Sequence, residues 1–453
     1  MSEQRVSIHG QWSTRMAFIL AATGSAVGLG NIWKFPYVAG ENGGGAFVLV
    51  YLACVAFIGI PIMMAEVLLG RRGAHSPINT MRLLARDENA SPYWQIIGWS
   101  GIAAGFFIIS FYSVIAGWVV SYVFQMGGGG FEAVTAEEAG AMFGSLAGDP
   151  GRQLIWHTVF IAMTALVVAR GVRQGLEMAV RWLMPLLFLL LLVLVGFAMS
   201  TDKFSFGLRF LFEPDFSALG FDGVLAAMGQ AFFSLSLGMG VIMMYGSYLS
   251  RDSNITGSTI IIALSDTAVA ILAGMVIFPI VFANGLDPAA GPSLVFQTLP
   301  LAFGQMPAGA VFGTVFFLLL VVAAWTSAIS LLEPSVAWLV ERWKMSRVKA
   351  TIVCTVVAWT LGIGTILSFN IGSDVTLFGK TFFDLLDFLT SNVMLPMGGL
   401  FIALFAVWVV RREISRQELE LSAGAQAVWV GLAGVVAPLA VLVIFLSGLG
   451  VFD

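Results

Sequence analysis

The chain has 453 residues, 58% of them hydrophobic and only 11% charged, with a formal net charge of −4 at pH 7 and a mean hydropathy of +0.93. So little charge cannot clothe the surface of a water-soluble globule, which excludes that class and predicts a polytopic membrane protein. The net charge excludes little by itself, because in such a chain the placement of charge decides more than its sum.

The N-terminus, MSEQRVSIHGQWSTR, is polar, and the first apolar run carries glycine and hydroxyl residues unlike a secretory h-region, so that run is expected to stay in the mature protein. Allowing about twenty apolar residues per crossing, eleven spans are predicted: 14–38, 45–70, 92–126, 153–170, 177–199, 222–249, 256–284, 309–341, 349–369, 382–410 and 425–449. The fold class is therefore an all-α polytopic membrane protein, in a single domain. A cytoplasmic N-terminus puts most of the 22 Lys and Arg residues on the cytoplasmic side, among them Arg71, Arg72, Arg170, Arg173, Arg342, Lys344, Arg411 and Arg412. The opposite side receives acidic loops holding Glu132, Glu137, Glu138, Glu213 and Asp215, and an odd span count leaves Asp453 outside. The longest connection, 127–151, opens on four glycines and is expected to be a mobile outer loop. Cys54 and Cys354 both lie in apolar runs, which suggests neither a disulfide framework nor a CxxC metal motif.

Within the first span, residues 24–31 read GSAVGLGN, placing Gly24, Gly28, Gly30 and Asn31 where a bilayer penalises any unsatisfied backbone group. Span six repeats the break as SLSLGMG, with Gly238–Met239–Gly240 in mid-span. Breaks in the first and sixth spans fall at corresponding positions of two five-span halves, 14–199 and 222–410, with 425–449 as an additional helix. That is the pattern of an inverted-repeat transporter whose broken helices form the binding site. Unwound backbone offers carbonyl oxygens to a cation, and the following helix N-terminus offers N–H groups to an anion. Single glycines in membrane helices commonly serve close packing instead. A dinucleotide fingerprint is excluded, because Trp33 stands where GxGxxG needs its third glycine.

The stretches GSAVGLGNIWKFPYVAGENGGGAF (24–47), GIPIMMAEVLLG (59–70), GQAFFSLSLGMG (229–240) and AAWTSAISLLEP (323–334) resemble, in this order and over nearly the whole chain, the neurotransmitter:sodium symporter family. The resemblance implies a sodium-coupled symporter of amino acids or their derivatives that works by alternating access, with two sodium ions beside a central substrate. It assigns one sodium to the carbonyls of Gly24, Val27 and Ala323 and the hydroxyls of Thr326 and Ser327, hard oxygen donors suited to a weakly bound ion. The other sodium falls to the Ala26 carbonyl, Asn31, Ser234 and the substrate carboxylate, with Ser265 standing where the family has Asn and Asp266 beside it. Members that carry amines have Asp where this chain has Gly28, so a substrate bringing its own carboxylate, an α-amino acid, is implied. Its pocket would be formed by Ala26, Gly28, Leu29, Gly30, Ile108, Tyr112, Phe233, Ser236, Met239, Ser327, Ala328 and Leu331. Tyr112 would meet the carboxylate and Phe233 would lid the site, and the apolar lining favours a neutral, hydrophobic side chain.

By the same resemblance Lys34 and Asp387 form an outer gate, and Glu341, Trp12 and Tyr248 an inner one, where His9 stands in place of an expected Arg and Arg5 is an alternative partner. Gly175 and Pro185 match a motif for unwinding of span five, and Pro185 removes a backbone hydrogen bond in any case. Chloride-dependent relatives surround chloride with residues matched here by Tyr51, Gln230 and Ser234 but not by Ser265 and Val269. Transport without chloride is therefore expected, with Glu66 a candidate for the compensating negative charge or, like Glu333, for proton coupling. Both acids could instead anchor hydrogen bonds. His9, His75 and His157 show no metal-ligand or catalytic spacing, so an enzyme is not expected; nor is a nucleic-acid partner. The bilayer and a small amino acid are the expected partners, while an amino-acid sensor on a transporter scaffold, without flux, is the alternative.

Overall fold

The computed structural model describes residues 5–289, 291 and 293–448. In chain order its principal helices are α1 (Arg15–Ala26), α2 (Gly30–Glu41), α3 (Gly45–Gly73), α4 (Pro92–Gly127), α5 (Pro150–Ala169), α6 (Val172–Met199), α7 (Phe221–Ser234), α8 (Val241–Gly246), α9 (Ile255–Ala283), α10 (Gly309–Trp343), α11 (Arg347–Ser368), α12 (Phe382–Val409) and α13 (Ala423–Ser447). Two isolated bridges, Gly44 to Pro214 and Leu377 to Lys380, are the β-structure among the described residues. Nine helices are long and apolar enough to cross a membrane, and ten crossings result when α1 and α2, bent by 52° at their break, count as one. The predicted span 222–249 consists of two pieces, α7 with 14 residues and α8 with 6. Neither piece spans on its own, so length and composition give nine or ten crossings among the described residues where eleven were predicted. The predicted exterior position of Asp453, like the last residue of the predicted span 425–449, lies outside the described residues.

Both breaks are built by local chemistry. Helix α1 starts where the Thr14 hydroxyl accepts from Ala17 N at 3.1 Å and ends as Val27 turns extended. The chain re-enters helix through a wide turn at Gly30–Lys34, and Pro36 falls in the first turn beyond it, where a missing N–H costs nothing. In the second break Ser236, Gly238 and Gly240 take φ of +55°, +80° and +72°, left-handed values that end any α-helix. A Cβ on Gly238 would lie 2.2 Å from the Leu395 carbonyl of α12, so close approach as well as φ requires glycine there. The two breaks touch each other: Ser236 Oγ donates to the Ser25 carbonyl at 3.0 Å.

Helix α10 packs along α4, and α1 lies against α9 and α10, which brings both breaks to the centre of the bundle. One expectation fails at the periphery. The connection 127–151 contains a helix, Ala136–Ala147, started by a reciprocal cap between Thr135 and Glu138. The Thr-x-x-Glu spacing satisfies two orphan N–H groups and outweighs the four glycines before it.

Candidate functional site

In an unbroken helix the N–H groups of Gly28 and Leu29 would serve the carbonyls of Gly24 and Ser25. Here Gly28 N donates to Asn31 Oδ1 (3.2 Å) and Leu29 N to Tyr112 Oη (3.4 Å). The released carbonyls turn to α10, where Ser327 Oγ lies 3.1 Å from Val27 O, 3.2 Å from Ser25 O, 3.2 Å from Ala323 O and 3.5 Å from Gly24 O. Thr326 Oγ1 donates to Ala323 O at 3.0 Å. All five oxygen-bearing residues expected around one sodium are thus gathered, and Ser25 joins them. Ser25 O also accepts from Ser236 and Ala323 O from Thr326, but Gly24 O and Val27 O share the single Ser327 hydroxyl proton, an excess of buried acceptors that a small cation with oxygen ligands would complement.

A second polar cluster lies on the other side of α2. Asn31 Nδ2 donates to Asp266 Oδ1 (2.8 Å) and to the Asp266 carbonyl (3.2 Å). Tyr51 Oη lies 3.2 Å from Ser234 Oγ and donates to Asp266 Oδ2 at 3.5 Å. Gln230 Nε2 donates to Gly30 O at 2.8 Å. Asn31 and Asp266 are fully buried, so the cluster holds a carboxylate away from water. Ser265, the residue expected here, is half-buried one position earlier; a step of one residue turns a helical side chain by about 100°, and it is Asp266 that meets Asn31. Glu66 sits elsewhere, accepting from Gly238 N at 2.6 Å inside the second break.

Between the clusters is a cavity of about 30 Å³ lined by Ser25 and by all the expected pocket residues except Ala328: Ala26, Gly28, Leu29, Gly30, Ile108, Tyr112, Phe233, Ser236, Met239, Ser327 and Leu331. Ala328 is buried in the apolar core instead. The cavity has room for about two water molecules, so a larger occupant requires side chains such as Met239 and Phe233 to yield. Beyond Phe233 lies a second cavity of about 210 Å³, which shares Leu29, Gly30, Tyr112 and Phe233 with the first and is also lined by Lys34 and Asp387. Phe233 is one of the four residues that form the wall between them. A Cβ on Gly30 would meet its ring at 2.9 Å.

The model of the sodium:neurotransmitter symporter family matches residues 9–128 and 146–453. The chain belongs to that family. It is 40% identical over 461 residues to the sodium-dependent transporter YhdH of Bacillus subtilis, covering 100% of both chains. To a sodium-dependent transporter of Haemophilus influenzae it is 35% identical over 449 residues, covering 97% of this chain and 98% of the other. The crystal structure of MhsT in complex with L-phenylalanine is similar with a TM-score of 0.89 and 45% identity, over 97% of this chain and 99% of that one.

In this symporter chain the end of the bundle that carries the N-terminal segment is sealed. Glu341 accepts from Ser76 N (2.7 Å), Ser76 Oγ (2.5 Å) and Asn79 Nδ2 (2.6 Å), and lies 3.1 Å from His9 Nε2. His9 thus takes the basic position, while Arg5 makes a two-pronged contact with Asp87 at 2.7 and 2.9 Å. The hydrogen-bonded Arg5 guanidinium holds the Asp87 carboxyl below its ordinary range. Trp12 Nε1 donates to Tyr245 O at 3.0 Å and the ring stands edge-on to Tyr248. Tyr248 Oη donates to Glu333 at 2.5 Å, and Arg347 pairs with the other oxygen of that carboxylate. Glu177, in the wide turn that holds Gly175, accepts from Ser13 N at 3.0 Å and from the Ser13 hydroxyl, tying this plug to α6 below Pro185.

The expected outer pair is not closed. Among the described residues no ion pair joins Lys34 to Asp387: Lys34 Nζ stands over the Phe233 ring at 4.8 Å, and Asp387 accepts from Ser391 Oγ at 3.0 Å. The candidate residue that the sequence argument placed only as a neighbour is Asp266, which meets Asn31 and Tyr51. Its signal was an acid at mid-span, which a bilayer tolerates only for a purpose.

Proposed function

We propose that the protein is a sodium-coupled symporter of neutral, hydrophobic L-amino acids that works by alternating access. The observation that carries this reading is the excess of carbonyl oxygens around Ser327, directly beside a small cavity whose remaining lining is mostly apolar. One sodium would be held by the carbonyls of Gly24, Val27 and Ala323 with Thr326 and Ser327. The other would be held by the Ala26 carbonyl, Asn31 and Ser234, with Asp266 in the role first given to Ser265. The N-terminus of α2 and Tyr112 would orient the substrate carboxylate, since a helix start favours an anion. Gly28 leaves that place free of any competing side-chain charge. Ile108, Met239 and Leu331 suit an apolar side chain, and MhsT, crystallised with L-phenylalanine, supports that class.

An ionised Asp266 would place a negative charge next to Tyr51, Gln230 and Ser234, which supports transport without chloride and leaves Glu66 the task of holding the second break. Residues 14–199 and 222–410 would form the two inverted halves, with 425–449 appended. The sealed plug would face the cytoplasm across a cytoplasmic membrane, with the Lys34–Asp387 vestibule outside, as the basic residues at the plugged end suggest. Opening would proceed by release of the His9, Trp12 and Ser13 contacts and unwinding of α6 between Gly175 and Pro185.

Uptake of labelled phenylalanine into proteoliposomes with competing unlabelled amino acids tests the substrate class. Leucine, methionine and tryptophan are expected to compete, and glutamate and lysine are not. Competition by the charged amino acids would overturn the assignment, and binding without accumulation would make the protein a sensor.

A further inference from the structure

We propose that a groove between α4, α10 and α11 binds one anionic phospholipid, with an acyl chain along a tryptophan wall and its headgroup on basic residues at the α10–α11 turn. The groove has a volume of about 350 Å³ and lies apart from the transport site. Trp99, Trp338 and Trp343 form one continuous side, their rings 5.0 Å and 5.7 Å apart in succession. Phe106, Val357 and Leu339 line the rest, with Ser335 and Cys354 as the polar-atom exceptions. Its rim is open sideways, Trp343 being 60% and Val357 46% exposed, and these residues belong to membrane-spanning helices. Hydrocarbon is what surrounds such an opening.

Two features select an anionic phospholipid over hydrocarbon in general. The first is length: Ser335 to Trp343 is eight residues, about 12 Å of helix, which covers most of the roughly 15 Å hydrocarbon depth of one leaflet. An acyl chain running along the bilayer normal fits that dimension, with Trp343 at the interfacial level where tryptophan is favoured. The second is charge. Arg342 and Lys344, on either side of the lining residue Trp343, and Lys349, one helical turn before the lining residue Val353, are exposed around the turn between α10 and α11. None of them enters an ion pair among the described residues, whereas Arg347 in the same turn is engaged by Glu333 and the Val168 carbonyl. The nearest acid in sequence, Glu341, is buried and occupied by Ser76, Asn79 and His9. The mouth therefore carries uncompensated positive charge at headgroup level, the arrangement that attracts acidic lipid.

Native mass spectrometry of the full chain in a delipidating detergent tests this, titrating phosphatidylglycerol against phosphatidylcholine of identical acyl chains. One phosphatidylglycerol is expected to be retained at about one-tenth of the concentration that phosphatidylcholine requires. Ala103→Trp, which fills the groove, removes that adduct, and Val357→Trp at the rim does the same should the first variant fail to fold. Lys344→Gln with Lys349→Gln abolishes the preference between the two lipids. Equal retention of both lipids by the unaltered chain, or an adduct that persists in a folded groove-filling variant, would overturn the proposal.

Discussion

A methyl group at position 28 provides a severe test of the carbonyl cluster. A Cβ on Gly28 would lie 2.7 Å from Ser327 Oγ and 3.1 Å from Tyr112 Oη, the first about 0.7 Å short of ordinary contact at 3.4 Å. Backbone cannot easily retreat there, since α1 and α2 are both packed into the bundle centre, so the Ser327 hydroxyl must rotate away. It then loses Val27 O and Ser25 O at 3.1 and 3.2 Å, and with them its place among the proposed sodium ligands. Overpacking of this kind costs about 1–3 kcal/mol, which corresponds to roughly a 5- to 150-fold loss in affinity. Gly28→Ala is therefore expected to raise the sodium concentration for half-maximal amino-acid uptake by about 5- to 150-fold. Sodium-dependent uptake in proteoliposomes measures this, with the thermal midpoint in sodium-free detergent as a check on folding. A folded Gly28→Ala protein with unchanged sodium dependence would refute the reasoning, because the hydroxyl would then be dispensable to the ion.

Arg347→Gln leaves the Glu333 carboxylate fully buried with Tyr248 as its remaining hydrogen-bond partner among the described residues. A loss of about 3–5 kcal/mol in stability is expected, and Glu333→Gln added to it should restore most of the melting temperature; a double variant as unstable as the single one would contradict this. Asp266→Asn removes the carboxyl group beside Asn31 and Tyr51. Sodium activation should weaken at least about tenfold and recover in part when chloride replaces gluconate, whereas indifference to both would be contrary. Since Arg5 lowers the native titration of Asp87, the contact contributes stability above the ordinary carboxyl range near pH 4 and loses it as pH falls through the depressed native value. The difference in melting temperature between the unaltered chain and Asp87→Asn should shrink in that acid window, and a difference independent of pH would exclude the linkage.

Glycine pairs made the two breaks legible in the sequence, because a membrane core tolerates them only where backbone groups find other partners. The pocket lining followed from the order of short motifs, and all its members but Ala328 meet around one cavity. Asp266 was harder to place. Helix α9 is apolar on every side, so its pattern carries no phase, and only packing against Asn31 distinguishes Asp266 from Ser265. The gates were legible as residues but not as contacts: nothing in the sequence says that Lys34 stands over Phe233 rather than beside Asp387, although both line one cavity. Similarly, Arg5 and His9 are equally plausible partners for Glu341 until the fold assigns Arg5 to Asp87. The helix Ala136–Ala147 was hidden behind the glycines that precede it, although the Thr135–Glu138 spacing announced its start. The crossing count suffered from the feature that reveals function, for a broken span leaves two helices too short to count.

The most direct test is uptake of labelled phenylalanine into proteoliposomes under an inward sodium gradient, against a potassium control, for the unaltered chain and for Asn31→Ala. Accumulation that needs sodium and disappears in a folded Asn31→Ala variant is predicted, because Asn31 joins the break in α1–α2 to Asp266. Accumulation that proceeds equally in potassium, or survives the loss of Asn31 unchanged, would contradict a sodium-coupled site at that break.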